Sequence, residues 1–569
     1  MDARTVSFPH IIGRFTALQI NSDALPLPRH KLQNPYNFVV VSISSSSRRP
    51  SASWRAAAFV LLGFALLFSA SSAGAQSPAP TADRGRILLV LPFDNRTSQP
   101  NLEWIREAAA ELLSSRFASA GFAPMTRADR VYALDHLGLP PGFQPSRASS
   151  IKLAQTLDAD SIIVGSYSLD GPNIVAEARI VDVPHLRMSP AVSVRGPMSG
   201  MINVFDKLAW QLTRQLDPSF NIAEATFVAA GNDLRLDAFE QYIRGITEPD
   251  QAERLRHLQQ SVKLSPDYSP AWMALGREQY NMQQYEQAAQ AFARVNSSGP
   301  DGLEAGFYRG LSLLFSGDYP SAEKAFAQVA RTLPLAQVIN NQAVAISRQG
   351  HDGTALFVQA AADDPNNADY HFNLAISLRR QGNTAAALNE MALCLRLDPA
   401  DSEAQAIEDA WKHPAQKSPL KPASQQAPMN AGTAAGSGSD ASPSADPAAD
   451  PLERIVRTFD AAAFRQAAAV LDQMDAARLA ALSPAERARK LCSQADGYLG
   501  RGLVLEAERL YQSAASDDPH SAAPRVGLAR VRLRAGDAEG ARAEAQAALA
   551  LDPSSAAARQ LLQQIQQRR

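Results

Sequence analysis

The chain has 569 residues, enough for several domains, and its 55 basic and 57 acidic residues nearly cancel. That balance removes the global electrostatic footprint expected of a nucleic-acid binder. Its only cysteines, Cys394 and Cys492, supply no disulfide framework, and each falls at a core-like helical position.

Residues 1–55 read as an unstructured extension or as the product of a start codon placed too far upstream. A signal peptide is expected at 56–75. Arg48, Arg49 and Arg55 supply the basic region, Ala56–Phe68 the apolar run and Ala73-Gly74-Ala75 the small-x-small cleavage pattern, so Gln76 is the expected mature start. The apolar run falls short of the roughly 20 residues that a spanning helix needs. No cysteine stands at the cleavage point to carry a lipid. The expectation is a periplasmic or secreted protein of a Gram-negative bacterium, with membrane association only indirect.

Residues 84–218 have the texture of an α+β domain with a mixed sheet. Ile87–Phe93 reads as a buried strand leading into the exit loop Asp94-Asn95-Arg96-Thr97. An amphipathic helix is predicted over 102–118 with Asn101 as its cap, and a second over 147–158. Ser161–Leu169 and Ile174–Val183 form a hairpin through Asp170-Gly171, followed by a strand near 191–196 and a helix near 200–216. The stretches ILLVLPFDN at 87–95, LDADSIIVGSYSLDG at 157–171 and IVAEARIVDV at 174–183 resemble the TolB amino-terminal-like or FlgO-like family of bacterial periplasmic proteins. That resemblance implies an assembly or interaction domain without known catalytic residues.

Beyond residue 235 a period of 34 residues takes over. Pro266, Pro300 and Pro334 lie 34 apart, as do Pro365 and Pro399, and Pro519 and Pro553. Leu275, Gly276, Ala288 and Phe292 precede Pro300; Gly310, Gly317, Ala322 and Phe326 precede Pro334; Ala375, Gly382, Ala387 and Met391 precede Pro399. Small residues at these offsets let paired helices approach closely, and Gly317, Gly382, Gly502 and Gly536 stand where a first helix must stop and turn. The unit ending near Pro365 is about three residues short and reads as lacking a large aromatic in its second helix. The pattern resembles the tetratricopeptide repeat family, which implies pairs of antiparallel helices stacked into an α-solenoid. Two blocks are expected, at 235–412 and 451–569. Between them, 413–450 is rich in Pro, Ala, Ser and Gly and reads as a disordered linker.

No catalytic constellation is legible, and no cofactor or metal is expected. The nine histidines are scattered, and His371 occupies a helix-packing position. Asp94 and Asp160 are loop acids suited to turns. The leading reading is a non-catalytic scaffold for protein or peptide partners in envelope assembly or export. The alternative is a sensor binding a small ligand or glycan through the α+β domain, for which Asp94, Asn95 and Arg96 are the only convergent polar cluster.

In the repeat family, positions 5, 9 and 12 of each first helix line the concave face. Counted from the prolines, these are Met273, Arg277 and Tyr280, then Phe307, Leu311 and Leu314, then Phe372, Ile376 and Arg379. Family members that clamp an acidic C-terminus use Lys and Asn there, and these three units supply neither. An apolar groove rimmed by two arginines suits an amphipathic helix or an extended segment with a few acidic residues.

Overall fold

A computed structural model describes residues 87–140, 142–231, 234–299, 301–413 and 451–567. The signal peptide and the 413–450 linker read from the sequence fall outside these residues, except for His413.

The N-terminal part is a mixed sheet with helices on both faces. Its strands are β1 (Ile87–Val90), β2 (Asp94–Asn95), β3 (Ala123–Pro124), β4 (Ser161–Asp170), β5 (Asn173–Asp182), β6 (Arg187–Met188) and β7 (Val192–Pro197). β1 runs parallel to β3 and β4, β2 runs parallel to β4, and β5 pairs antiparallel with β4, β6 and β7. The helices are α1 (Ile105–Ser119), α2 (Arg127–His136), α3 (Arg147–Thr156) and α4 (Met201–Leu216). Alternation along β1 sends Leu88 and Val90 into the core with α1 and α4, and Leu89 and Leu91 into the core with α2 and α3.

Three local features depart from the expectations. Asn101 does not cap α1; it lies in a single 3-10 turn, Pro100–Leu102, and the helix starts at Ile105 without a side-chain cap. α2 was not expected, although Thr126 and Asp129 form a reciprocal capping box at its start. The Asp94–Asn95 stretch of the exit loop pairs with β4 as a short strand.

Helical hairpins follow. They comprise α5 (Glu224–Ala229), α6 (Leu236–Thr247), α7 (Gln251–Leu264), α8 (Ser269–Asn281), α9 (Tyr285–Phe292), α10 (Gly302–Phe315) and α11 (Tyr319–Thr332). The block continues with α12 (Ala336–Arg348), α13 (Thr354–Asp363), α14 (Ala368–Arg380), α15 (Thr384–Leu397) and α16 (Ser402–Lys412). A second block holds α17 (Ala461–Ala480), α18 (Pro484–Gly500), α19 (Val504–Asp517), α20 (Ala522–Arg534), α21 (Ala538–Leu551) and α22 (Ala556–Gln567). The fold is therefore an α+β mixed-sheet domain followed by an α-solenoid in two blocks.

The small-residue positions behave as the spacing predicts. A Cβ added to Gly276 would sit 2.7 Å from the Phe292 ring, so only glycine lets that ring cross the helix. The short unit does carry its aromatic: Phe357, fully buried in α13, stands eight residues before Pro365, as Phe292 and Phe326 stand before their prolines. The missing residues are lost from the start of α13, which has 10 residues where α11 and α15 have 14.

One apolar cluster joins all three parts. It contains Phe117 and Phe205 of the sheet domain, Phe227 of α5, Phe239 and Leu258 of the first hairpin, and Leu505 of α19. Glu508 of α19 accepts a hydrogen bond from the Ala223 amide at 3.2 Å, and Gln512 donates to the Asn221 carbonyl at 3.2 Å. Among the described residues, no helix is long and apolar enough to cross a membrane.

Candidate peptide-binding groove

Residues 451–460 form neither helix nor strand, yet they are held tightly. They run extended along α12 and α14 of the first block, and two asparagines grip their backbone. Asn373 accepts from the Arg454 amide at 2.6 Å and donates to the Arg454 carbonyl at 2.8 Å. Asn341 accepts from the Val456 amide at 3.0 Å and donates to the Val456 carbonyl at 2.8 Å. Asn340 adds a second donor to the Arg454 carbonyl at 3.3 Å and accepts from Asn373 at 2.8 Å. In an extended chain, residues two apart turn their amide and carbonyl to the same side. Side-chain amides on neighbouring repeats thus imitate the edge of a β-strand, which only an extended ligand can satisfy.

Two charge pockets flank this clamp. The Glu453 carboxylate is fully buried; Arg348 Nε lies 3.1 Å from it, and Arg380 and Ser347 also bond to it. Arg348 reaches the Glu453 carbonyl at 3.2 Å, and Arg380 reaches the Pro451 carbonyl at 2.9 Å. The next residue has the opposite surroundings. The Arg454 guanidinium sits 2.9 Å from Asp369, 2.7 Å from Asp401 and 2.9 Å from Glu403, and stacks 3.8 Å above the Phe372 ring. Burial alone lowers its pKa, but hydrogen bonds to Asp401, Glu403 and Asp369 outweigh that and hold it above the ordinary arginine range. Burial of Asp401 works against its ionised form, and Arg454 more than offsets it, so its carboxyl lies below the usual value.

Beyond the charges, the segment ends in aromatics. Phe459 packs on Phe307 at a ring-centre distance of 5.7 Å, Phe464 in the first turn of α17 packs on it at 6.4 Å, and Arg457 stands 5.0 Å over Phe315.

The nine residues expected to line the groove divide accordingly. Phe307 and Phe372 touch the segment and are also fully buried. Leu311 and Leu314 belong to the cluster that includes Phe464. Tyr280 packs against Tyr285, Tyr308 and Phe315 beside it. Met273 is buried between helices with Phe292, and Ile376 with Met391 and Ile407. Arg277 pairs with Glu304, and Arg379 bonds Thr384 at 3.2 Å with its guanidinium 5.9 Å over Trp411, so neither bonds the segment.

The asparagines, Arg348 and Arg380 are additions to that set. Asn341 lies seven residues after Pro334, the offset at which Phe307 follows Pro300 and Phe372 follows Pro365, and Arg348 sits at position 12 of the same helix. The irregular unit therefore supplies, at position 5, the asparagine that the three regular units lack at that place. Asn340 and Asn373, 33 apart, carry a second signal, because asparagine is a poor mid-helix residue without a partner.

Elsewhere the polar candidates serve local structure. His371 bonds Glu390 at 2.7 Å and the Pro365 carbonyl at 3.1 Å. Asp160 accepts from the Ile87 amide at 3.0 Å, and Asn95 accepts from the Thr97 amide and hydroxyl at 2.9 and 2.6 Å.

Tetratricopeptide repeat families match the chain at residues 273–336, 356–389 and 498–565. No curated protein matches it. Among solved structures it is similar to YrrB, described as a TPR protein with an unusual peptide-binding site (14% identity, 35% of this chain and 98% of that one, TM-score 0.27). It is also similar to MamA of Desulfovibrio magneticus RS-1 (17%, 32% and 99%, 0.26) and to the C-terminal domain of LpoB from Escherichia coli (21%, 21% and 88%, 0.19). With these matches on top of stacked helical hairpins, the chain carries tetratricopeptide repeats in both helical blocks.

Proposed function

We propose that the protein is an exported, non-catalytic scaffold that holds extended protein segments in the groove of its first repeat block, in the service of envelope assembly or export. The observation that carries this reading is the seating of residues 451–459, whose backbone is bonded by Asn341 and Asn373 as a partner's would be. Side chains that bond main-chain groups hold a strand whatever its sequence, while the flanking charge pockets add selectivity. Export is supported by the basic, apolar and Ala73-Gly74-Ala75 order near the N-terminus. An envelope role is supported by the TolB-like texture of residues 84–218.

The test has two parts. N-terminal sequencing of the protein recovered from the periplasm should begin at Gln76. A photoreactive residue replacing Arg379, exposed at the groove rim, should give a protein adduct in the native envelope. Asn341→Ala with Asn373→Ala should remove that adduct while leaving helicity unchanged. An adduct that survives the double substitution would sink the groove reading, and an uncleaved cytoplasmic chain would sink export.

A further inference from the structure

The groove is already full, and its occupant is part of the same chain. The asparagine clamp reads only backbone, but the adjoining pockets read two consecutive side chains of opposite charge. Glu453 meets two arginines and a serine, and Arg454 meets three carboxylates and an aromatic face. Any occupant lacking the acid removes the carboxylate that Arg348 and Arg380 share. One lacking the arginine leaves Asp369, Asp401 and Glu403 in mutual repulsion. The aromatic floor at Phe307 then asks for a ring five residues after the arginine, as Phe459 follows Arg454.

Resting on the groove reading above, we propose that residues 451–459 are a built-in competitor. The groove serves partner segments that are extended, carry an acid followed directly by arginine and then apolar residues, and end in an aromatic five places on. Such a partner binds by displacing this segment. The 37 residues 414–450 join the segment to the end of the block it fills. Covalent attachment within one chain presents a ligand at an effective concentration on the order of 1 mM. For a segment with a dissociation constant of about 10 μM the groove is then open in only about one molecule in a hundred, and a partner's apparent affinity falls by roughly that factor. The same residues thus define both what the groove selects and how strongly it is guarded.

A fluorescent peptide of residues 450–460 serves as the probe, and anisotropy as the readout. Three full-length proteins are compared: the unaltered chain, Glu453→Ala with Arg454→Ala, and that pair combined with Asn341→Ala and Asn373→Ala. The peptide should bind the first pair roughly 100-fold more tightly than the unaltered chain, and the quadruple variant should lose it. A peptide with Glu453 and Arg454 replaced by Ala should bind the opened groove at least about 100-fold more weakly. Equal affinity for the unaltered chain and the opened pair would overturn the competitor while leaving the groove intact. No binding to the opened pair, with helicity unchanged, would overturn the groove reading itself. If the unaltered chain were a dimer that the Glu453→Ala, Arg454→Ala pair dissolves, the segment would belong to a second copy, and the intramolecular form of the proposal would fail.

Discussion

At the scale of single residues, the turn between paired helices shows how backbone conformation selects sequence. Gly317, Gly382, Gly502 and Gly536 adopt φ of +85°, +82°, +86° and +82°, each 17 residues before the proline that closes its unit. The unit ending at Pro300 has Gln283 at that offset, at φ +59°. A side chain in this region crowds its own carbonyl and costs about 1–2 kcal/mol, part of which is recovered because glutamine loses less backbone freedom than glycine on folding. Gln283→Gly should therefore stabilise the protein by about 0.5–1 kcal/mol, read as a higher denaturant midpoint at unchanged slope. A lower midpoint would show that the turn favours the glutamine side chain for a reason outside its backbone. The glycines at this offset could be assigned from the sequence because the conformation leaves few alternatives. The Gln283 turn kept its place in the repeat while losing the residue that marks it.

Among elements, helices and the segment they grip differ in how far their own sequence determines them. Each repeat helix carries a periodic apolar face, so hairpin order and proline spacing were legible before any coordinates. Residues 451–460 carry no period, because their extended form is imposed by Asn341 and Asn373 rather than by local preference. Counted as repeat, they fell at the head of the second block, and nothing in PLERIVRTFD alone points back to α12 and α14. Phe307 and Phe372, named from the repeat spacing, do contact Phe459 and Arg454, whereas the short unit was passed over because its three-residue deletion hides the register of Asn341. Asn373→Ala removes two bonds to Arg454 and one to Asn340. At about 0.5–1.5 kcal/mol per bond, docking should weaken by about 1–3 kcal/mol. Because cleavage of a segment that opens and closes quickly tracks its open population, trypsin should then cut after Arg454 and Arg457 roughly 5- to 150-fold faster than in the unaltered chain. Unchanged cleavage would mean that the asparagine does not hold the segment down.

For the molecule as a whole, the region where the sheet domain meets the first repeats holds a carboxyl, Glu111, that burial pushes well above its ordinary range. Glu111 of α1 is partly buried in the region where that helix meets the first repeats, and its charge is felt by Tyr242 and Tyr268. Burial first, and then the neighbouring Glu107, push its carboxyl up to about 7, against the pull of Arg130 and Arg127, with Asp301 adding to the rise. The pKa of Asp301 is itself raised by burial, and so is that of the fully buried Asp206, in spite of its 2.7 Å pair with Arg116. A carboxyl whose folded pKa exceeds its unfolded value binds its proton more tightly in the native state. The stability it confers is therefore present at low pH and is lost as pH rises through the folded value. For Glu111 the window runs from about 4.5 to about 7, with a slope approaching about 1.4 kcal/mol per pH unit. His257 works the other way, since burial first and Arg256 next lower its pKa and favour the native state as pH rises. The comparison that isolates the carboxyl is therefore the unaltered chain against Glu111→Gln, followed by denaturant unfolding from pH 5 to 8. The substituted protein should gain on the unaltered one from pH 5 to about 7 and keep that lead up to pH 8. A stability difference that stays flat between pH 5 and 8 would mean that Glu111 is ionised throughout, and that the contact between the sheet domain and the first repeats is hydrated rather than dry.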